Sequence, residues 1–405
     1  MVQPLKGKSP FYPGQPVPSD LFVGRPQQIE HILTRGVGQV AAGKPVAMFV
    51  QGEYGIGKSS MAGFVQGLAE REHGLHAIYA TLGGAESLAG VASIILEATI
   101  RSGFFDPKRS EQIRNWLAKY IGTQDLFGFT INLEALKQDT PKLTNPFGLL
   151  AFLSEVKSRL QDNGVKGVFL VLDEINGITA NPQFAHFLKA LVETNARSRA
   201  PLPLLLMLCG VEERRREMIQ SHQPVDRIFD VVEIEAMTKE EMAQFFQRAF
   251  HSVQMTVEPS ALEMLIHYSA GFPKIMHVLG DAAFWIDRDG VIGKADAEKA
   301  VIFAADEVGK KYVDQQVYRA LRSQDYRSIL DKIARIGPDT LNFTKNQVAT
   351  GLTESEKRKF HNFLQKMQKL NVIRKGDNRG EYVFSLRMVR LYIWLQSLPK
   401  DRPLV

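Results

Sequence analysis

Five apolar segments of strand length, "PVAMFVQG", "HAIYATL", "GVFLVLDE", "LPLLLMLCG" and "DVVEIEA", recur along the first 236 residues, with stretches of helical spacing between them. A half-exposed strand alternates apolar and polar positions. These run nearly unbroken, so both of their faces must be covered. Alternation with helices then leaves a parallel sheet, helices on both sides, as the arrangement that buries them. The 405 residues allow two or three domains, and 44% hydrophobic with 23% charged residues is ordinary for a globular chain.

Between the first strand and the next helix lies "GEYGIGKSS". Gly52, four further residues, then Gly57, Lys58 and Ser59 have the spacing of a loop that cradles phosphate with backbone amides and a helix N-terminus. Gly55 and Gly57 permit positive φ and close approach, with Ile56 between them; Lys58 is expected to reach terminal phosphates and the Ser59 hydroxyl to hold Mg2+, with Ser60 following in the first helical turn. An ordinary glycine-rich turn is the competing reading. Pattern, strand and helix together oppose it.

The third strand closes in "VFLVLDEIN", which delivers two adjacent carboxylates to its tip about 115 residues after the loop. Asp173 is expected to hold the metal and Glu174 to orient and deprotonate an attacking water. A strand that merely ends in an acidic turn is the alternative. With no guanine-reading "NKxD" present, ATP is the expected nucleotide.

Other chemistries find little support. One cysteine, Cys209, excludes a disulfide framework and fits a reducing cytoplasm; at the end of a buried strand it is a poor nucleophile. No apolar run approaches the roughly 20 residues of a membrane span. The nine histidines lack metal-ligand spacing, and His267 and His277 read as structural.

The rest of the chain divides by pattern. Residues 1–18 are proline-rich and read as an extended arm. A helix is expected after Asp20, with Ile29, Ile32 and Leu33 on one face. An insertion at about 83–160 carries "LFGFTINLEAL", whose alternation suggests a hairpin or edge strand. Four helix patterns cover 238–308, the first opened by a Thr238–Glu241 capping box. From 309 to 405 come three helix patterns, the third capped by Thr353 and Glu356, and then two short strands about a polar turn. That order matches a winged helix.

Net charge is +6, yet residues 306–405 hold 20 Lys and Arg against 11 Asp and Glu. The basic excess therefore lies wholly in the last hundred residues and suggests a polyanion such as duplex DNA. On the third helix Phe360, Phe363, Leu364, Met367 and Leu370 form the core stripe. Lys357, Arg358, Lys359, Lys366 and Lys369 are left outward, and Arg374, Lys375 and Arg379 decorate the wing. These are candidates for phosphate contacts. Winged helices also dock proteins, so a protein partner remains the alternative.

"FVGR" at Phe22–Arg25, "GEYGIGKS", "FLVLDE" and "GFPK" at Gly271–Lys274 occur in the order seen in AAA+ ATPases, and the chain resembles their origin-recognition-like and STAND branches over about residues 9–395. The resemblance implies that Val23, Gly24 and Arg25 line an adenine pocket. It implies that Pro273 and Lys274 start a lid helix bearing the second sensor, where many members have arginine; lysine keeps the charge without the bidentate fork. The first sensor is usually polar, whereas here only Cys209 and Gly210 stand at its place. Arg227 sits where relatives carry an arginine that reaches a neighbouring subunit's γ-phosphate. It reads equally as a surface residue pairing Asp226 or Asp230, and "EERRRE" at 212–217 reads as a solvated helix face.

The expectation is an α/β protein in three parts: a P-loop NTPase parallel-sheet core over 19–237, a helical lid over 238–308 and a C-terminal winged-helix domain. The expected function is an ATP- and Mg2+-dependent switch or motor that forms homo-oligomers and acts on DNA. The alternative is a STAND-type signalling or scaffold ATPase whose winged helix docks a protein.

Overall fold

The computed structural model describes residues 6–14, 22–102, 143–161, 164–310, 321, 323–336, 342–370, 372–376, 378–385 and 387–397. The chain forms two compact units, residues 16–235 and residues 236–405 joined by 1–15. The strand expected in "LFGFTINLEAL" lies outside the described residues.

In the first unit a helical segment, α1, runs through Pro26–His31, a π-helical stretch Ile32–Val37 and Gly38–Ala41. It starts at Pro26, not after Asp20, because Gly24 and Arg25 take left-handed φ of 84° and 61° and Pro26 suits a first helical position. Asp20 itself lies outside the described residues. Then follow β1 (Val46–Gln51), α2 (Lys58–Glu72), β2 (Leu75–Thr81), α3 (Leu88–Ile100), α4 (Pro146–Arg159), β3 (Gly167–Asp173), α5 (Pro182–Ala196), β4 (Leu204–Gly210), α6 (Glu212–Ser221), a 3-10 turn (Gln223–Ile228) and β5 (Asp230–Glu233).

The strands form one parallel sheet in the order β2-β3-β4-β1-β5. Every residue of β3 and β4 is buried, as their unbroken apolar runs require. The core packed around them includes Phe49, Leu170, Leu172, Phe184, Leu188 and Leu206. Placing β1 between β4 and β5 puts the loop after it at the carboxyl edge, beside the ends of β3 and β4, where parallel sheets bind ligands.

In the second unit α7 (Lys239–Ser252), α8 (Pro259–Ser269), α9 (Pro273–Ile286) and α10 (Lys294–Val308) are four successive helices, with β6 (Thr256–Val257) and β7 (Val291–Ile292) paired between them. The Thr238–Glu241 capping box opens α7 as the sequence indicates. The segment Lys6–Tyr12 lies along α9. Phe11 is buried against Phe245, Phe250 and His277, its ring 5.0 Å from that of Phe250. Gly280 makes room for it, since any side chain there would collide with the Phe11 ring. The Tyr12 amide donates to His277 Nδ1 at 3.1 Å, and the Lys6 ammonium donates to the Phe284 and Asp287 carbonyls at the end of α9. A lysine there also favours the helix dipole.

The chain continues with α11 (Gln324–Ala334), β8 (Asn342–Thr344), α12 (Lys345–Ala349), α13 (Glu354–Lys369), β9 (Ile373–Lys375), β10 (Glu381–Phe384) and α14 (Arg387–Gln396). The three strands pair antiparallel in the order β8-β10-β9. Phe360, Phe363, Leu364 and Met367 are buried on α13 and pack with Ile329, Ile333, Phe343 and Phe384. Thr353 and Glu356 cap α13 reciprocally. The strand β8 was not expected; its three residues are too few to carry a periodic pattern.

Candidate functional site

The loop after β1 turns through Gly55 at φ 79° and Gly57 at φ 97°, values an L side chain rarely takes. Ile56 between them is buried and anchors the turn. Gly57 then serves as N-cap of α2 and supplies no side-chain acceptor. The first amides of α2, from Lys58 to Ser60, are thus left without a capping side chain at a helix N-terminus, an arrangement suited to an anion. The Lys58 ammonium donates to the main-chain oxygens of Gly52 and Glu53, both at 2.8 Å. Burial lowers its pKa from the usual lysine value. An ammonium desolvated against two neutral carbonyls has no full counter-charge in those bonds, and a phosphate would supply one.

Asp173 ends β3 and is 4% exposed. Its Oδ2 accepts from the Tyr79 hydroxyl at 2.6 Å and its Oδ1 from the Glu174 amide at 2.8 Å. Burial, and then the charge of Asp173, push the Tyr79 phenol far up, so it stays a donor. Glu174 is exposed and takes a left-handed φ of 53°, a strained backbone for a glutamate and a common mark of functional positions. Cys209 on β4 lies beside Val50 of β1; burial, and then Asp173, raise its thiol pKa, which leaves it neutral.

Arg25 is buried and its guanidinium donates to the Ile56 carbonyl, so this arginine holds the phosphate loop directly. Val23 and Gly24 precede it, half-buried. Together Val23, Gly24, Arg25, the loop Gly52–Ser60, Asp173 and Glu174 all belong to the first unit.

Arg227 is exposed in the 3-10 turn before β5. Asp226 is taken by Arg215, and Asp230 by His31 at 2.9 Å. Among the described residues Arg227 therefore pairs with neither carboxylate. It lies three residues before β5, whose parallel register with β1 runs from Met48↔Asp230 to Gln51↔Glu233. The run at 212–217 is an ion-paired face: Arg216 reaches Glu212 and Arg214 reaches Glu217 within α6, while Glu217 also accepts from the buried Thr179 at 2.7 Å.

Pro273 and Lys274 open α9 in the second unit, after Gly271 at φ 82°. In the same unit Arg358, Lys369, Arg374, Lys375 and Arg379 are exposed, and Lys366 is half-buried. Lys357 pairs with Glu354 at 2.8 Å and Lys359 with Asp325 at 2.6 Å.

Sequence reasoning missed Tyr79 and the contact that Arg25 makes. A tyrosine inside the apolar run "HAIYATL" was the available signal for the first. The second had none, because Arg25 and Ile56 are brought together only by folding.

Residues 4–375 match the family model described as Novel STAND NTPase 1, nSTAND1. The Walker-type ATPase PABY2304 of Pyrococcus abyssi is similar in structure, with TM-score 0.56 and 16% identity over 92% of this chain and 96% of that one. The ORC2 protein of Aeropyrum pernix, solved as ADPNP–ADP complexes, gives TM-score 0.49 and 15% identity over 93% and 95%. The ORC1 protein of the same organism, solved in complex with DNA, gives 0.49 and 15% over 94% and 93%. The likeness to the first of these is one of fold. No curated protein matches the chain.

Proposed function

This chain belongs to the Novel STAND NTPase 1 family and has a P-loop NTPase fold, and from that premise we propose that it is an ATP-driven switch whose hydrolysis is completed by assembly. The observation that carries this reading is the uncapped start of α2 at Gly57, with Lys58 held against loop carbonyls and the Asp173 carboxylate at the end of β3. The site fits nucleotide phosphates: the positive-φ glycines bring amides close to an anion, and Lys58 exchanges carbonyls for phosphate oxygens. Mg2+, held by Ser59 and Asp173, would neutralise charge on the transferring phosphoryl group.

Within that site Glu174 accepts the proton of the attacking water, and the amides from Gly57 to Ser60 stabilise charge that builds on phosphate oxygens. Arg227, exposed in the turn before β5, serves a neighbouring subunit's phosphate loop. An isolated chain then turns over slowly, because an arginine supplied in trans is worth about 10³ to 10⁵ in rate. Lys274 contributes a point charge from the start of α9, Pro273 sets that helix's first turn, and Val23, Gly24 and Arg25 border the adenine.

Helix, strand, helix, helix and hairpin from α11 to β10, with a sheet in the order β8-β10-β9, support reading the C-terminal part as a winged helix. Arg358 and Lys369 on α13, with Arg374, Lys375 and Arg379 on the hairpin, then contact the phosphates of duplex DNA. Lys357, Lys359 and Lys366 join them by exchanging their present partners; exposed ion pairs cost under about 1 kcal/mol to break. A second reading, docking of a protein partner, draws support from the pairing of Lys357 and Lys359 within the chain, which reduces the charge offered to DNA.

Steady-state ATP turnover with and without duplex DNA, at several protein concentrations and with Lys58→Ala as blank, tests the proposal. Turnover that rises with DNA and more than linearly with protein supports a DNA-assembling switch. Turnover indifferent to both transfers the winged helix to a protein partner, and no turnover above the blank sinks hydrolysis altogether.

A further inference from the structure

The parallel pairing of β2 with β3 sets Thr81 beside Asp173 and Tyr79 beside Val171. Tyr79 thus stands two residues short of the strand tip, on the same side as Thr81. From there its phenol reaches the carboxyl edge, where the hydroxyl donates to Asp173 Oδ2 at 2.6 Å. The same oxygen lies 3.4 Å from the main-chain carbonyl of Ser59. One hydroxyl has one proton, and the shorter contact holds it. Both of the residues assigned to the metal therefore touch Tyr79.

Neither oxygen of Asp173 is left to rotate freely, since Oδ1 takes the Glu174 amide at 2.8 Å. Two donors on two oxygens fix the carboxyl plane. The remaining lone pairs are then held in fixed directions before any ligand arrives.

We propose that Tyr79 is a positioning residue for the metal–nucleotide site, orienting the Asp173 carboxylate beside the Ser59 end of the phosphate loop. The inference rests on the ATPase reading and goes beyond it by naming what sets the geometry of the acidic ligand. Tyr79 acts on Asp173 as a hydrogen-bond donor, 2.6 Å from Oδ2. Its action is indirect. Ordering a carboxylate costs rotamer freedom, and a donor that imposes the order beforehand removes that cost from binding.

The test is Tyr79→Phe in the full-length chain, with binding of a fluorescent ATP analogue titrated against Mg2+ and then Mn2+. The ring and its packing stay, and only the hydroxyl goes. Half-saturation in either metal is expected to rise about tenfold, the loss of one hydrogen bond to a charged group. Nucleotide binding in EDTA is expected to stay within about twofold of wild type, because the loop amides and Lys58 are untouched. Unchanged metal dependence overturns the proposal, whatever happens to the unfolding temperature. A merely structural tyrosine would lower that temperature and leave the metal titration where it was. Wild-type protein that fails to bind the analogue at all would instead sink the ATPase reading, which Tyr79→Phe alone cannot do.

Discussion

The buried guanidinium of Arg25 donates to the main-chain carbonyl of Ile56, which ties the residue before the first helix to the apolar tip of the phosphate loop. Arg25 itself sits at a left-handed φ of 61°. The chain accepts that strain to put a rigid donor fork against the loop. Arg25→Ala leaves a carbonyl without its donor, and Arg25→Lys keeps charge but loses the planar fork. Both are expected to weaken ATP binding, the alanine variant by about tenfold, from the roughly 1.5–3 kcal/mol of a charged hydrogen bond. Calorimetry with ATP checks it, and wild-type affinity in both variants would refute it.

Glu174 follows β3, and Arg227 lies in the turn before β5. Glu174→Gln is expected to bind ATP and hydrolyse it about 10² to 10⁴ times more slowly. Arg227→Ala is expected to be slow as well, for a different reason. Mixing the two variants builds sites with Glu174 from one subunit and Arg227 from the next, so turnover should recover in part. A mixture no faster than its components would remove Arg227 from catalysis.

His277 accepts the Tyr12 amide at Nδ1, and its buried Nε2 has no partner among the described residues. Burial lowers its pKa from 6.5 to about 4. The unfolded chain binds a proton that the folded one resists, so this unit loses stability as pH falls from 6.5 towards 4. Thermal unfolding of wild type across that range should drop more steeply than that of His277→Gln, which can accept the same amide without titrating. Phe11→Ala, in the same contact, is expected to cost about 3 kcal/mol.

Glu356 is 3% exposed and pairs with Lys332 at 2.6 Å while capping α13. Burial alone would raise its carboxyl, but hydrogen bonds from Lys332, Ser328 and Thr353 outweigh that and hold it at about 2, against the usual 4.5. A depressed carboxylate stabilises above its unfolded pKa and loses that contribution as pH falls through 4.5 towards 2. Denaturation of wild type and Glu356→Gln at pH 5 and pH 3 should therefore differ more at the higher pH. An equal difference at both would refute the assignment.

The sequence by itself determined what depends on near neighbours along the chain. The glycine spacing of the phosphate loop, the acidic tip of β3, the five strands and the Thr238 and Thr353 capping boxes are all written in windows of a few residues, where one local rule governs. Tertiary structure decided what joins distant residues. Tyr79 meets Asp173 across 94 positions because β2 and β3 pair in one register. Arg25 finds Ile56 because two left-handed residues re-aim the chain before Pro26. The proline-rich arm lacks periodicity, yet Phe11 is buried because Gly280, far along the chain, leaves a ring-sized gap. Burial of a side chain depends on the shape of what it packs against, and no window of the sequence contains both partners.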